Sequence, residues 1–171
     1  MPDRAVVVPY DPAWPGLYEA EAGLVRNALG GELVALEHVG STAVPGLAAK
    51  PVLDLLAGLR GERPSRDAVA ALRALGYLLR SRPGRPYFRK GTPRTHVLHV
   101  ARHGDRQWRT KLDLRDYLRA DPRAAAAYGE LKLSLAATRS HAGYAGAKDR
   151  FIRELETTTD FVRFVESRPQ K

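Results

Sequence analysis

The sequence predicts an α+β fold: a mixed β-sheet of about five strands, covered on one side by helices, with a helical C-terminal part from about residue 105. Short apolar runs bounded by glycine and proline are concentrated in the first hundred residues, which is typical of strands. Apolar residues at helical spacing dominate the remainder. With 171 residues, 44% hydrophobic and 27% charged, the chain suits one domain over residues 1–171.

The elements predicted before residue 76 include one strand that is apolar at nearly every position. Apolar positions at helical spacing predict a helix from Trp14 to Leu29, which Gly30 and Gly31 end. The run from Val52 to Leu59 is apolar at nearly every position, so we expect a central strand that is buried on both faces. The other elements predicted before residue 76 are strands at 5–8 and 33–39 and a helix at 65–75 whose N-cap is Ser65.

Three strands and three helices are predicted in the rest of the chain. The three strands follow one another directly, and consecutive strands tend to be neighbours in a sheet. Asp121 and Pro122 are typical of the N-cap and first position of a helix. The predicted segments are strands at 77–80, 86–90 and 95–101 and helices at 105–118, 122–138 and about 145–165.

The charge balance limits the classes of partner. There are 28 Lys and Arg residues against 19 Asp and Glu residues, a net charge of +9, so the protein should attract anions such as nucleotides and phosphorylated metabolites. RNA binding is the least favoured class, because no aromatic-rich strand motif is present for base stacking. No apolar run is long enough to cross a bilayer, and cysteine is absent, so we expect a cytoplasmic protein without membrane contact.

The most informative stretch is EHVGSTAVPGLAAKPVLDLL, which begins at Glu37. Gly40 and Ser41 directly follow a predicted strand, where glycine permits close approach and main-chain N–H groups can form an anion site. Ser41 and Thr42 add hydroxyl donors, and Lys50 adds a cation. The spacing fits neither a P-loop nor a dinucleotide fingerprint. On these residues alone, a phosphate loop and a simple turn between two core strands both remain open.

A strand, a Gly-Ser turn and a second strand that carries a carboxylate resemble the nucleotidyltransferase superfamily, whose fold is like that of DNA polymerase β. More closely, the stretch from Glu37 resembles the GrpB family, which is usually assigned to that superfamily. The resemblance continues through FRK at 88–90, THVLHV at 95–100 and LRDYLR at 114–119, and it covers nearly the whole chain. It implies a Gly-Ser turn that holds a triphosphate and strand carboxylates that bind Mg²⁺.

The chain departs from the superfamily pattern at the metal site. The resemblance implies a pair of carboxylates two residues apart, but here Val52 takes the first place and Asp54 the second. The third carboxylate should fall near His96 and His99, which leave opposite faces of one strand, so only one of them can join Asp54. We choose His99. Asp54 and His99 are therefore the catalytic candidates.

A divalent cation is expected from the same comparison. Asp54, His99 and His38 are the candidate metal ligands, for Mg²⁺ or Mn²⁺, or for Zn²⁺ or Ni²⁺ if the histidines ligate. Alternatively, Lys50 replaces the charge of a lost metal by contacting a phosphate directly, and both alternatives remain open. The residues predicted to hold the phosphates are Gly40, Ser41, Thr42, Lys50, Arg89 and Arg115.

The sequence thus predicts a protein that binds a nucleoside triphosphate or a similar phosphorylated ligand. A second, further prediction is that the protein transfers a nucleotidyl group to an unknown acceptor. The alternative is a catalytically degenerate module that binds a nucleotide or metabolite. GrpB-like domains also occur joined to dephospho-coenzyme A kinase, so the resemblance allows a link to coenzyme A metabolism. Lys132 and Lys148 lie in predicted helices, where solvated lysines are normal, and they are left out of the predicted site.

Overall fold

The computed structural model describes residues 6–82, 85–138 and 141–169. A five-stranded sheet has the order β1-β2-β5-β4-β3. The central pair β2 and β5 runs parallel, and the other neighbouring pairs run antiparallel. The strands are β1 (Leu33–Val39), β2 (Leu53–Leu59), β3 (Leu78–Arg82), β4 (Arg85–Lys90) and β5 (His96–Arg102). The predicted α+β fold with a mixed sheet is confirmed.

Six helices surround this sheet within the described ranges. None of them is long and apolar enough to cross a membrane. Short 3-10 turns precede β1 at 30–32 and follow it at 41–43. The helices are α1 (Trp14–Leu29), α2 (Arg66–Ala74), α3 (Arg106–Ala120), α4 (Pro122–Thr138), α5 (His141–Glu156) and α6 (Thr159–Glu166).

Strand β2 lies inside the sheet between β1 and β5, as its apolar sequence predicts. Every residue of β2 is buried except Asp54, which is half-buried. Strands β3, β4 and β5 are neighbours in chain order, which confirms the expected arrangement of consecutive strands. The single polar residue of the most buried strand therefore needs an explanation, and the cavity described below supplies it.

Helices cover both faces of the sheet, so the expectation of helices on one side was wrong. Helices α1 and α2 pack on the face that carries Leu55 and Leu98 and form the main core there. On the opposite face, Trp108 of α3 packs with Leu56 and Ala101. Alternate residues of a strand face opposite sides, and β2 and β5 present apolar side chains on both. The second face therefore needs its own helix.

Two predicted elements differ in the structure. Of the strand predicted at 5–8, Ala5 lies outside the described residues, and Val8 forms only an isolated bridge with Ala49. The helix predicted at 145–165 is divided into α5 and α6. Thr158 is the N-cap of α6, where its hydroxyl oxygen accepts a hydrogen bond from Phe161 N at 3.3 Å. Side chains that bond the local backbone in this way compete with a continuous helix.

The N-cap predicted at Ser65 is present and gives a direct test of the fold. Ser65 Oγ accepts a hydrogen bond from Ala68 N at 3.1 Å and donates one to Glu32 Oε1 at 2.5 Å. Replacing Ser65 by alanine should lower the free energy of unfolding by about 1 kcal/mol, because a first-turn N–H loses its partner. Urea denaturation measures the change. Ser65→Thr is the control, and equal losses in both variants would contradict a capping role.

Candidate functional site

A cavity of about 370 Å³ lies on the sheet face opposite α1 and α2. Its floor is formed by side chains from β2, β4 and β5, and its walls include side chains from α3, α4 and α5. Two carboxylates, Asp54 and Asp149, are among its described lining residues. The positively charged lining side chains are Lys50, Arg89, Arg94, Lys111, Lys132 and Lys148. The cavity is therefore positively charged.

Gly40 brings the Gly-Ser turn into contact with Asp54. Its backbone has φ 73° and ψ −173°, a conformation that is essentially restricted to glycine. A Cβ atom at this position would lie 2.6 Å from Asp54 Oδ2 and 3.0 Å from Asp54 Cβ. The 3-10 turn that begins at Ser41 follows directly, and Ser41 lines the cavity. The turn and the strand carboxylate predicted from the sequence thus meet at one place.

Asp54 and His99 form a hydrogen-bonded pair in the cavity. His99 Nε2 lies 3.0 Å from Asp54 Oδ1, and the two side chains are 22% and 30% exposed. Burial lowers the pKa of His99, and Lys111 adds to this effect. Burial by itself would raise the pKa of Asp54, but the hydrogen bond and charge of His99 hold it below its usual value. At neutral pH a neutral imidazole therefore donates its Nε2 proton to a charged carboxylate.

His38 does not join this pair. Val39 pairs with Asp54 across β1 and β2, so the side chain of His38 points to the opposite face of the sheet. Its ring stacks on Tyr18 with a centroid distance of 4.6 Å, and Nε2 lies 2.9 Å from Thr42 Oγ1. Burial lowers the pKa of His38 to about 4, so it is neutral at physiological pH. The predicted metal role of His38 is not supported, because the strand register separates it from Asp54.

Arg115 is also held away from the cavity. Its Nη1 donates to Glu37 Oε2 at 2.7 Å and to the carbonyl oxygen of His38 at 3.0 Å, and its Nε donates to Asp116 Oδ1 at 2.6 Å. The bonds to Glu37 and His38 join α3 to the edge strand β1. Arg115 is absent from the described lining of the cavity. The structure therefore gives this predicted phosphate ligand a structural role between helix and sheet.

The other predicted residues do come together. Ser41, Thr42, Lys50, Arg89 and His99 line the cavity with Asp54. The hydroxyl of Thr42 is engaged with His38 inside the protein, and this residue is fully buried. Lys50 Nζ lies 3.9 Å from the centre of the Tyr144 ring. The cavity thus contains the cation and the hydroxyl that the loop sequence predicts.

Two arginines present unsatisfied donors at this site. The Nε atoms of Arg89 and Arg94 are buried and have no hydrogen-bond partner within the described parts of the chain. Both side chains line the cavity. Buried polar groups are almost always hydrogen-bonded, so each exception calls for a missing partner such as a ligand or water.

Lys132 is the most unusual lining residue, and the predicted site omits it. It is 1% exposed, and its ammonium group donates to the carbonyl oxygen of Ala48 and lies 4.5 Å from the centre of the Tyr128 ring. Burial and, to a smaller extent, the positive charge of Lys148 lower its pKa to about 7. Tyr128, Lys132 and Leu135 are spaced at i, i+4 and i+7, so a lysine in the apolar stripe of α4 was a usable signal.

Arg94, Lys111 and Lys148 are also absent from the predicted site. They come from the β4–β5 turn, from α3 and from α5, which are far apart in the sequence. Each lies in a segment where a solvated basic residue is ordinary, and no periodic pattern sets it apart. Only the packing of the helices over the sheet brings them to one cavity.

The residues present do not fit a divalent cation held by protein ligands. Within the described ranges, no three His, Asp or Glu side chains converge on one point. The two nearest candidates, Asp54 and His99, are hydrogen-bonded to each other. Magnesium, calcium and zinc sites use several oxygen or nitrogen ligands arranged around the ion. The set of Asp54, His99 and His38 that the sequence predicts is not assembled.

Comparisons with known proteins agree on the family. The model of the GrpB protein family matches residues 4–158. A UPF0157 protein from Pseudomonas aeruginosa is 46% identical over 145 residues, which are 78% of this chain and 58% of that protein. Together with a second relative, from Bacillus subtilis, this shows that the chain spans about half the length of the first curated relatives it matches.

Solved structures show the fold. The crystal structure of conserved protein GrpB from Enterococcus faecalis has a TM-score of 0.79 and 33% identity, and the match covers 94% of this chain and 98% of that chain. A chain of the GLD-2/RNP-8 complex, a nucleotidyltransferase-like fold, has a TM-score of 0.59 and 14% identity, with 90% and 64% covered. The second likeness concerns the fold alone. On the evidence of sequence and structure together, this chain belongs to the GrpB family.

Proposed function

We propose that this protein binds a phosphorylated small molecule, with a nucleoside triphosphate as the leading candidate, in the cavity beside Gly40. The observation that carries the proposal is the charge of the cavity: six cationic side chains and two carboxylates among its described lining residues. Its volume of about 370 Å³ is within the range of roughly 300–1,000 Å³ that is usual for small-molecule sites.

The lining residues supply the donors that phosphate oxygens need. The buried Nε atoms of Arg89 and Arg94 have no protein partner within the described residues, and arginine binds phosphate through parallel N–H donors. Lys50 and Lys148 line the same space. Ser41 contributes a hydroxyl group at the turn that follows Gly40. A phosphate group would therefore satisfy donors that are already buried and would offset the positive charge.

Nucleotidyl transfer is the finer part of the proposal. The hydroxyl or amine of an acceptor would attack the α-phosphorus, a new bond to phosphorus would form, and the bond to the β-phosphate oxygen would break. Pyrophosphate would leave with its charge offset by the lysines and arginines. The acceptor's proton would pass to Nδ1 of neutral His99, because Nε2 is bonded to Asp54, and Asp54 would stabilise the imidazolium.

Isothermal titration with ATP, GTP, CTP and UTP tests the binding site. Ser41→Ala and Lys50→Ala should each weaken binding of the preferred nucleotide by about tenfold, because each removes a hydrogen bond to a charged phosphate. Ser167→Ala and Arg153→Ala are matched controls outside the cavity, and they should bind as the unmodified protein does. Unchanged affinity in both cavity variants would show that the phosphate does not bind beside Ser41 and Lys50.

A binding module without chemistry is the second candidate, favoured by the absence of an assembled metal-ligand set among the described residues. Incubating the protein and cell extract with ATP labelled at the α-phosphate separates the two. Transfer of label that is lost in Asp54→Asn supports the enzyme. Nucleotide binding with no transfer supports the module.

A further inference from the structure

We infer that the cavity takes its ligand as a free polyanion of about four negative charges, and not as a complex with a divalent cation. The inference rests on the proposed function, because it concerns the form in which the phosphorylated ligand binds. Two forms of the ligand coexist in solution, the free nucleoside triphosphate and its magnesium complex, and the cavity should prefer the free form.

The charges that line the cavity match the free species. Six cationic side chains and two carboxylates give the described lining a net charge of +4 when Lys132 is protonated. A free nucleoside triphosphate carries about four negative charges near neutral pH, and a bound Mg²⁺ removes two of them. The free ligand therefore balances the cavity, whereas the complex leaves it positively charged. Electrostatic complementarity of this kind determines which of two similar ligands is preferred.

The positions where a metal would be held are occupied by other groups. Val52, two residues before Asp54, lines the cavity with an apolar side chain where a second carboxylate would be needed. Asp54 Oδ1 is bonded to His99. The other carboxylate of the described lining, Asp149, lies on α5 and is exposed. A divalent cation that entered with the ligand would find one carboxylate already paired.

Cationic side chains also line the cavity that contains Asp54. Lys111 and Lys148 line the same cavity as Asp54. Burial alone would raise the pKa of Asp54, but His99 and, with a smaller effect, these two lysines hold it down. Burial lowers the pKa of His99, and the same two lysines lower it further. A divalent cation placed beside Asp54 would be repelled by these two lysines. In nucleotidyltransferases that use metals, the ions neutralise charge on the phosphates, and here the lysines and arginines are placed to do the same.

Titration of the full chain with ATP in EDTA, and again with excess MgCl₂ at matched ionic strength, tests the inference. ATP should bind in EDTA, and Mg²⁺ should weaken binding by about tenfold or more. Equal affinity in both conditions, or binding that requires Mg²⁺, would overturn the inference while leaving the proposed site intact. Failure of ATP to bind in either condition would overturn the proposed function and the inference together.

Val52→Asp provides a second test with a matched control. This substitution places a carboxylate in the cavity at the position that the structure leaves apolar, while Val52→Asn adds similar bulk without charge. Val52→Asp should weaken binding of free ATP by about tenfold and reduce the loss caused by Mg²⁺, and Val52→Asn should not. If the two variants respond to Mg²⁺ alike, the charge balance of the cavity does not decide the form of the ligand.

Discussion

Replacing Gly40 by alanine is expected to lower the free energy of unfolding by about 2 to 4 kcal/mol and to abolish ligand binding. The new Cβ would lie 2.6 Å from Asp54 Oδ2 and 3.0 Å from Asp54 Cβ, so both the carboxylate and the strand beneath it would have to move. The backbone conformation at Gly40 is also strained for any other residue. Denaturant unfolding and titration with ATP measure the two effects.

Gly46 in the same loop is the control that separates backbone strain from the contact. Its φ is also positive, +78°, but a Cβ there would meet nothing within 4 Å. Gly46→Ala should therefore lower the free energy of unfolding only by the backbone strain, about 1 kcal/mol, and should leave ligand binding unchanged. A double variant of Gly40→Ala with Asp54→Ala should recover part of the stability, because it removes the clashing carboxylate. Equal behaviour of the Gly40 and Gly46 variants would contradict the proposed contact.

Replacing Lys132 by methionine is expected to weaken ATP binding by about tenfold at pH 6 and to change how stability depends on pH. Methionine fills nearly the same space without the ammonium group, so the cavity loses one positive charge. Lys132→Gln is the control for the hydrogen bond to the Ala48 carbonyl, because glutamine keeps an N–H donor without a charge. Both variants should lose affinity at pH 6, where the lysine is protonated.

The sign of the stability effect follows from the lowered pKa. The pKa of Lys132 is about 7 in the folded protein and 10.5 in the unfolded chain. Below pH 7 Lys132 is protonated in both the folded and the unfolded chain, and burial of its charge lowers the free energy of unfolding by the full amount. Between about pH 7 and 10.5 the unfolded chain binds more protons, so this lysine makes the free energy of unfolding rise with pH by about 1.4 kcal/mol per unit.

Denaturation with urea from pH 6 to pH 9.5 measures that slope in the original protein and in Lys132→Met. The variant should be the more stable of the two at pH 6, and its relative advantage should shrink as the pH rises, since it lacks the titrating group. Parallel pH profiles would show that the pKa of Lys132 is not lowered. A bound phosphate should raise this pKa again, so ATP should bind more tightly at pH 6 than at pH 9.

The sequence was sufficient to predict the elements that depend on local pattern. The apolar run at 52–59 predicted an interior strand, and three adjacent strand patterns predicted the neighbours β3, β4 and β5, all of which the structure confirms. The Gly-Ser turn and Asp54 were predicted to lie together, and the contact at Gly40 shows that they do. Hydrophobic periodicity, turn residues and one unusual carboxylate in an apolar strand are enough to predict these features.

The rest depended on relationships between distant segments. Whether His38 faces Asp54 is decided by the register of β1 on β2, and a shift of one residue reverses the face. The sequence assigned Arg115 to the phosphate. Its actual partner, Glu37, lies 78 residues away and is not apparent from the sequence. Lys111 and Lys148 reach the cavity only because α3 and α5 pack over the second face of the sheet. Tertiary packing, rather than local pattern, places these residues.

Phosphates are expected to bind among the cations that line the cavity with Ser41 and Asp54. A crystal structure of the full chain with a non-hydrolysable ATP analogue, grown in the presence of EDTA, would show where the phosphates bind. We expect the phosphate groups within hydrogen-bond distance of Ser41, Lys50 and the Nε atoms of Arg89 and Arg94. Phosphates bound outside this cavity, or side chains of the protein filling the space beside Asp54, would contradict the account.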